Sequence, residues 1–259
     1  MAAELREQRV LAALRLRDRV SRQTLNRPLR LVAPGVRLVR NLSGLTMITA
    51  APGLDVYVED YLRRYTDDFV PPPGEPAPRS VALVLTIEDP RGSYLPRRLR
   101  LLLPRDPDPD HAQQSDSLFQ PLEVDLYPAA SAPLRGNRSA LRVSLTRGGE
   151  ALRGALLRVV RVDDDALLGS GIVDARGEGL VIVPGIPVTR FDATDDEDAP
   201  VMVAATPVRV EISLAADGVW PVDPDQLEAE HAANLQHTAE LSLSSGQTAV
   251  LRLDLPASP

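Results

Sequence analysis

Apolar residues recur along this chain at two different spacings, and the change between them divides it. Residues 2–23 are rich in Ala, Leu, Glu, Gln and Arg, which lose little on entering a helix. Leu5, Ala12, Leu16 and Arg19 fall on one side, and Val10, Ala13 and Leu14 widen the apolar stripe. Arg6, Arg9, Arg15, Arg17 and Arg22 are interleaved with Glu4, Glu7 and Asp18. The pattern predicts a basic amphipathic helix within 1–25, docked on its own domain or on a partner.

Beyond this segment the period falls to two. Leu29/Leu31, Val36/Leu38 and Leu45/Met47 alternate with polar or small residues, punctuated by Pro34-Gly35, Ser43-Gly44 and Pro52-Gly53. Val81, Leu83, Leu85 and Ile87 predict a strand, as do Leu99–Leu103 and Leu122/Val124/Leu126. A second group follows: Leu141/Val143/Leu145, Leu157/Val159, Leu167–Val173, Leu180–Val183, Val208/Val210/Ile212 and Ala249/Leu251/Leu253/Leu255. Leu227, His231 and Leu235, spaced by four after Asp225, predict a late helix near 225–237. Many short strands joined by Gly and Pro turns define an all-β chain with two small antiparallel β-sandwich-like domains and an N-terminal amphipathic helix. The expected division is 1–25 helix, 26–130 first β domain, and 131–259 a transthyretin- or immunoglobulin-like sandwich. No βαβ rhythm is present, which argues against Rossmann, P-loop and TIM-type enzymes.

Composition narrows the functional classes. The 259 residues carry a net charge of -7, which disfavours a general nucleic-acid binder. There is no cysteine, so disulfides, thiol nucleophiles and thiolate metal sites are excluded. Aromatics make up 3%, with Tyr57, Tyr61, Tyr65 and Phe69 grouped together and Trp220 the one tryptophan. The N-terminal stretch lacks the continuous apolar region of a signal peptide, and no window approaches 18 apolar residues. The expectation is a protein without a membrane span, cytoplasmic or incorporated into an assembled particle.

Candidate chemistry is sparse. His231 and His237 are six apart, on different helical faces, and His111 lies in a polar loop. Leu168-Gly169-Ser170-Gly171-Ile172 lacks the strand–elbow–helix context of a serine nucleophile. The acidic run Asp192–Asp198 has neither the spacing nor the glycine of an EF-hand and reads as a solvated loop. No metal, cofactor or catalytic set is expected. The pair Arg97-Arg98, with Arg100 and Arg105, reads as a basic strand edge facing an acidic partner. Together with Leu5, Arg9 and Leu16 of the helix, Arg97, Arg98 and Arg100 are the candidate partner-binding residues.

Residues 139–188 carry a family resemblance. Glu150–Val159, then Gly169-Ser170-Gly171-Ile172-Val173-Asp174, then Ala175-Arg176-Gly177-Glu178-Gly179 resemble the carboxypeptidase-regulatory or transthyretin-like β-sandwich. Asp174, Gly177 and Gly179 are the turn-forming candidates, Asp174 accepting backbone N–H groups and Gly177 suiting positive φ. The ending Pro184-Gly185-Ile186-Pro187 departs from that pattern, and the aromatic expected after the turn is missing. The whole layout also resembles accessory structural proteins of contractile phage tails and injection systems. That likeness rests on Tyr94–Leu99, on Phe119–Leu122 through Leu126–Pro128, and on Asp174–Glu178 through Pro184–Pro187. It implies a non-enzymatic structural or adaptor subunit whose partners are proteins of a larger assembly, open to homo-oligomerisation. The alternative is a carbohydrate- or surface-binding module using Trp220 and Tyr57/Tyr61/Tyr65.

Overall fold

The computed structural model describes residues 10–54, 76–134, 138–187, 189–190, 202–203 and 205–256. The chain forms two compact units: residues up to Pro90 with Arg98–Leu126, and Arg91–Arg97 with the chain from Tyr127 onward. The short return of 91–97 to the second unit departs from a single cut near 130. Both units are built from strands.

In the first unit the strands are β1 (Ala12–Asp18), β2 (Arg30–Val32), β3 (Arg37–Arg40), β4 (Thr46–Ala50), β5 (Val81–Glu88), β6 (Arg97–Leu103) and β7 (Leu122–Leu126). The order β3-β4-β1-β7 makes one sheet and β2-β5-β6 another. β1 corrects the N-terminal expectation. Ala12, Leu14 and Leu16 are buried while Ala13, Arg15 and Arg17 turn outward, a period of two where a helix was predicted. Leu5 and Arg9 lie outside the described residues. The cause is tertiary pairing. β4 runs antiparallel along β1, and β7 runs parallel on its other side, so a segment with helical propensity is held extended by neighbours distant in sequence.

The second unit comprises β8 (Ser139–Arg147), β9 (Glu150–Ala151), β10 (Leu156–Arg161), β11 (Leu167–Ile172), β12 (Glu178–Val183), β13 (Thr189–Arg190), β14 (Met202–Val203), β15 (Ala205–Ser213), β16 (Leu235–Ser244) and β17 (Thr248–Leu255), with helix α1 (Pro224–Ala229) before β16. Sheets β11-β10-β15-β16 and β12-β8-β17 face each other. Their inward rows meet in one core: Leu141, Val143 and Leu145 of β8, Leu157 and Val159 of β10, Val181 and Val183 of β12, and Val208, Val210 and Ile212 of β15. The sandwich is not wholly antiparallel, because β17 runs parallel to β8, and β1–β7 is a second parallel pair. The late helix is also shorter than expected. Pro224 starts it and Asp223 caps it, but from Leu235 the chain pairs with β15, placing His231 beyond the helix and His237 in a strand.

One flank of the sandwich is sealed by backbone approach. A Cβ on Gly171 would meet the Leu180 carbonyl at 2.5 Å, and one on Gly169 the Ile182 carbonyl at 2.8 Å. The two glycines therefore let β11 lie against β12. Ser170 between them is buried in β11, not raised on an elbow.

Candidate protein-docking surface

Alternation along β6 sorts the arginines that follow one another in sequence. Arg97 shares its parity with the buried Leu99, Leu101 and Leu103, whereas Arg98, Arg100 and Leu102 point the other way. Arg97 is 2% exposed, and its Nη2 donates to Asp223 Oδ1 at 3.2 Å and Asp225 Oδ2 at 2.7 Å. Asp223 also accepts from the Asp225 backbone N–H at 3.2 Å as the cap of α1. Arg97 therefore works inside the fold and is corrected from partner contact to internal tie.

Arg105 needs the same correction. It is buried, and its guanidinium donates to the carbonyls of Ser115 at 2.6 Å and Ser117 at 2.9 and 3.0 Å. Burial lowers its pKa from the ordinary arginine value; Asp116 opposes that shift and Arg79 adds to it. The loop after β6 is wrapped around this one cation.

What remains outward is the other row. Arg100 is exposed and Arg98 half-buried, and both also interact within the chain. On β5 the outward positions include Val84 at 49% exposure, and on β2 Val32 at 43%. The β2–β5 register sets Val32 opposite Thr86 and Arg30 opposite Glu88, whose charges lie 3.7 Å apart. The outer face of this sheet thus mixes exposed valines with arginines, the composition of a protein contact.

Leu16, expected at a partner surface, is instead core. The arginines around it form a ladder with β7. Parallel register sets Arg15 opposite Glu123 and Arg17 opposite Asp125. Arg15 reaches Glu123 at 3.5 Å, and Arg17 Nε reaches Asp125 at 2.6 Å while its Nη1 also pairs with Glu123. Arg19 meets Asp125 at 3.0 Å and Arg22 pairs with the same carboxylate. Burial works against ionisation of Asp125, but the hydrogen bonds from Arg17 and Arg19 and the charge of Arg22 outweigh it, leaving its pKa below the usual range. Beside the ladder lies a groove of about 390 Å³ lined by Arg15, Gln113, Ser115, Gln120, Leu122 and Glu123. The two charged residues in that lining are already paired with each other.

The remaining candidates have local roles. Asp174 Oδ1 accepts from the N–H groups of Arg176 at 2.8 Å and Glu178 at 3.0 Å, closing the β11–β12 turn. Gly177 stands at φ +81°, where a Cβ would meet the Leu145 carbonyl at 2.5 Å. Gly179 lies in β12 and is pressed against Leu157, a packing position. His111 Nδ1 lies 2.6 Å from Asp106 Oδ2, and that hydrogen bond raises the imidazole pKa. His231 Nδ1 lies 3.2 Å from the Glu228 carbonyl. Trp220 packs against the cluster of Leu95, Tyr127, Val222 and Leu227. Tyr57, Tyr61, Tyr65, Phe69 and the acidic run 192–198 lie outside the described residues.

The period of two in Leu14-Arg15-Leu16-Arg17 could have revealed β1, and parity could have separated Arg97 from Arg98. Nothing local announces Asp125 or Glu123 as partners of that row.

No family profile and no curated protein matches the chain. Among solved structures it is similar to the Bacillus anthracis TIE protein, at 8% identity and a TM-score of 0.28, over 96% of this chain and 34% of that one. It thus spans about a third of that protein's length. A shaft pilin from Lactobacillus rhamnosus GG matches at 11% identity and a TM-score of 0.29, over 69% of this chain and 70% of the pilin. A minor pilin from Streptococcus agalactiae matches at 9% identity and a TM-score of 0.29, over 96% and 97%.

Proposed function

We propose that this chain is a non-enzymatic structural or adaptor subunit that docks into a larger protein assembly through the outer face of the β2-β5-β6 sheet. The observation that carries the reading is the outward side of this sheet, which holds exposed Val32 on β2, exposed Val84 on β5 and Arg98 and Arg100 on β6. Valines provide area that gains by leaving water, and arginines fork onto carboxylates, so the fitting partner surface is apolar at its centre and acidic at its rim. All 29 basic residues of the chain are arginines. Those at 97 and 105 are buried, while the 98/100 row, which also interacts within the chain, stands on the sheet exterior. The sequence resemblance to accessory proteins of contractile tails and injection systems makes such a particle the setting to test first. The transthyretin-like assignment of the second unit is part of the same proposal, supported by its two facing sheets and the Asp174–Gly177 turn.

The test is copurification from the native source with a tagged chain. The wild-type chain is expected to bring down a defined assembly subunit, and the Val84→Asp/Arg100→Glu variant to lose it while keeping its thermal midpoint. A monodisperse chain that captures no assembly subunit, or a variant that captures it undiminished, overturns the proposal.

A further inference from the structure

The two flanks of the second-unit sandwich differ. At one, Gly169 and Gly171 close β11 onto β12. At the other, β17 ends its sheet, and among the described residues no strand pairs with its outer edge. Edges of this kind are templates for further pairing.

The phase of the edge follows from its hydrogen bonds. Ala140 N–H donates to the Gln247 carbonyl at 3.0 Å and Gly148 N–H to the Leu255 carbonyl at 3.4 Å, so odd-numbered residues turn their polar groups toward β8. By alternation, Thr248, Val250, Arg252 and Asp254 aim N–H and C=O outward. Their side chains are also exposed, Val250 at 64%. Ala249, Leu251 and Leu253 point to the core but are only partly covered. Among the described residues Arg252 has no ion pair or side-chain hydrogen bond. Asp254 accepts from Thr146 Oγ1 at 2.9 Å and Gly149 N–H at 3.3 Å, both through Oδ1, which leaves Oδ2 able to accept.

We infer that this edge is a homodimer interface, in which β17 of two copies pairs antiparallel about a two-fold axis through Leu253, with Arg252 of each opposite Asp254 of the other. Opposite charges two residues apart are self-complementary under such an axis. Both residues direct backbone groups outward, so each pair is of the hydrogen-bonded type. On the core-facing side Leu253 meets its own copy and Leu251 meets Leu255, extending the half-covered leucine row into one continuous sheet face. Moving the axis to Arg252 sets that arginine against itself, and an axis half a residue away sets outward groups against inward ones. Pro256 lacks an N–H and ends the pairing. This interface requires nothing of the β5–β6 face, and the two are tested by different variants.

The experiment is sedimentation equilibrium of the full chain across a wide concentration range. The wild-type chain is expected to dimerise, and Arg252→Asp or Asp254→Arg to weaken the dimer by about tenfold or more, because each places like charges opposite twice. The double exchange Arg252→Asp/Asp254→Arg recreates the pair with reversed polarity and restores the dimer. Far-UV circular dichroism establishes that each variant is folded. A wild-type chain that stays monomeric at several hundred micromolar, single exchanges without effect, or a folded double exchange that fails to restore dimerisation each overturn the inference.

Discussion

Arg97, Arg105 and Arg17 carry the same guanidinium as Arg98 and Arg100, yet the two groups do opposite work. The first three are turned inward or along a strand pair and are matched to carboxylates or carbonyls at hydrogen-bond distance. The other two lie on the outward row of β6. A buried cation is tolerated only when its donors are satisfied, so its loss leaves unpaired partners behind. An arginine on the sheet exterior keeps part of its guanidinium in water, so its loss strands less behind it. The difference separates arginines held among their internal partners from those that stand on the sheet exterior while also interacting within the chain, and each side can be broken separately.

The largest expected effect is at Arg105. Arg105→Met removes the shared donor of the Ser115 and Ser117 carbonyls and should cost about 3 kcal/mol. Denaturant unfolding measures this, and hydrogen exchange should rise across residues 106–120. A loss below about 1 kcal/mol would show that the loop does not depend on its cation. Next comes Asp125→Asn, which leaves Arg17, Arg19 and Arg22 crowded without their carboxylate and should cost about 2 kcal/mol. Because the Asp125 pKa is lowered on folding, its contribution is present above the ordinary carboxylate range and is lost as pH falls through the lowered value. Acid unfolding of the wild-type chain should therefore carry a component that the asparagine variant lacks.

A smaller effect is expected at His111. Its pKa is raised by Asp106, so the pairing is present at pH values below that of an ordinary histidine and fades as pH rises through the raised value. NMR titration should place His111 above an ordinary histidine, and Asp106→Asn should bring it back down. An unchanged midpoint in that variant would remove the pair as the cause. The smallest effect on stability belongs to Val84→Asp, within about 0.5 kcal/mol of wild type by denaturant unfolding, because changes at exposed positions seldom cost more.

The same parity governs how much of the molecule was readable in advance. Val81/Leu83/Leu85/Ile87 and Leu99/Leu101/Leu103 announce β5 and β6 through large apolar residues at every second position, and Val208–Ile212 announces β15 through strict alternation. Residues 12–18 predict a helix because Ala, Leu and Arg favour helices individually, while the partner strand β7 lies more than a hundred residues away and contributes no local signal. The late helix ends earlier than its spacing predicts for a related reason. Leu227, His231 and Leu235 share a spacing of four, but from Leu235 the chain pairs with β15 along the length of that strand. Arg97 carried its assignment in its parity with Leu99, whereas the Asp223 and Asp225 that receive it are known only from the folded chain. The parallel β8–β17 pairing was equally hidden, since local turns predict hairpins and say nothing of how the last strand returns to an early one.

The central claim, that the outward row of the β2-β5-β6 sheet docks onto another protein, is tested most directly by site-specific photocrosslinking from position 84 within the native assembly. A photoreactive residue replacing Val84 is expected to crosslink to one defined assembly subunit, and the Arg98→Glu/Arg100→Glu background to abolish that product while the chain remains folded. A crosslink that persists unchanged in that background, or none to any assembly subunit, contradicts the account.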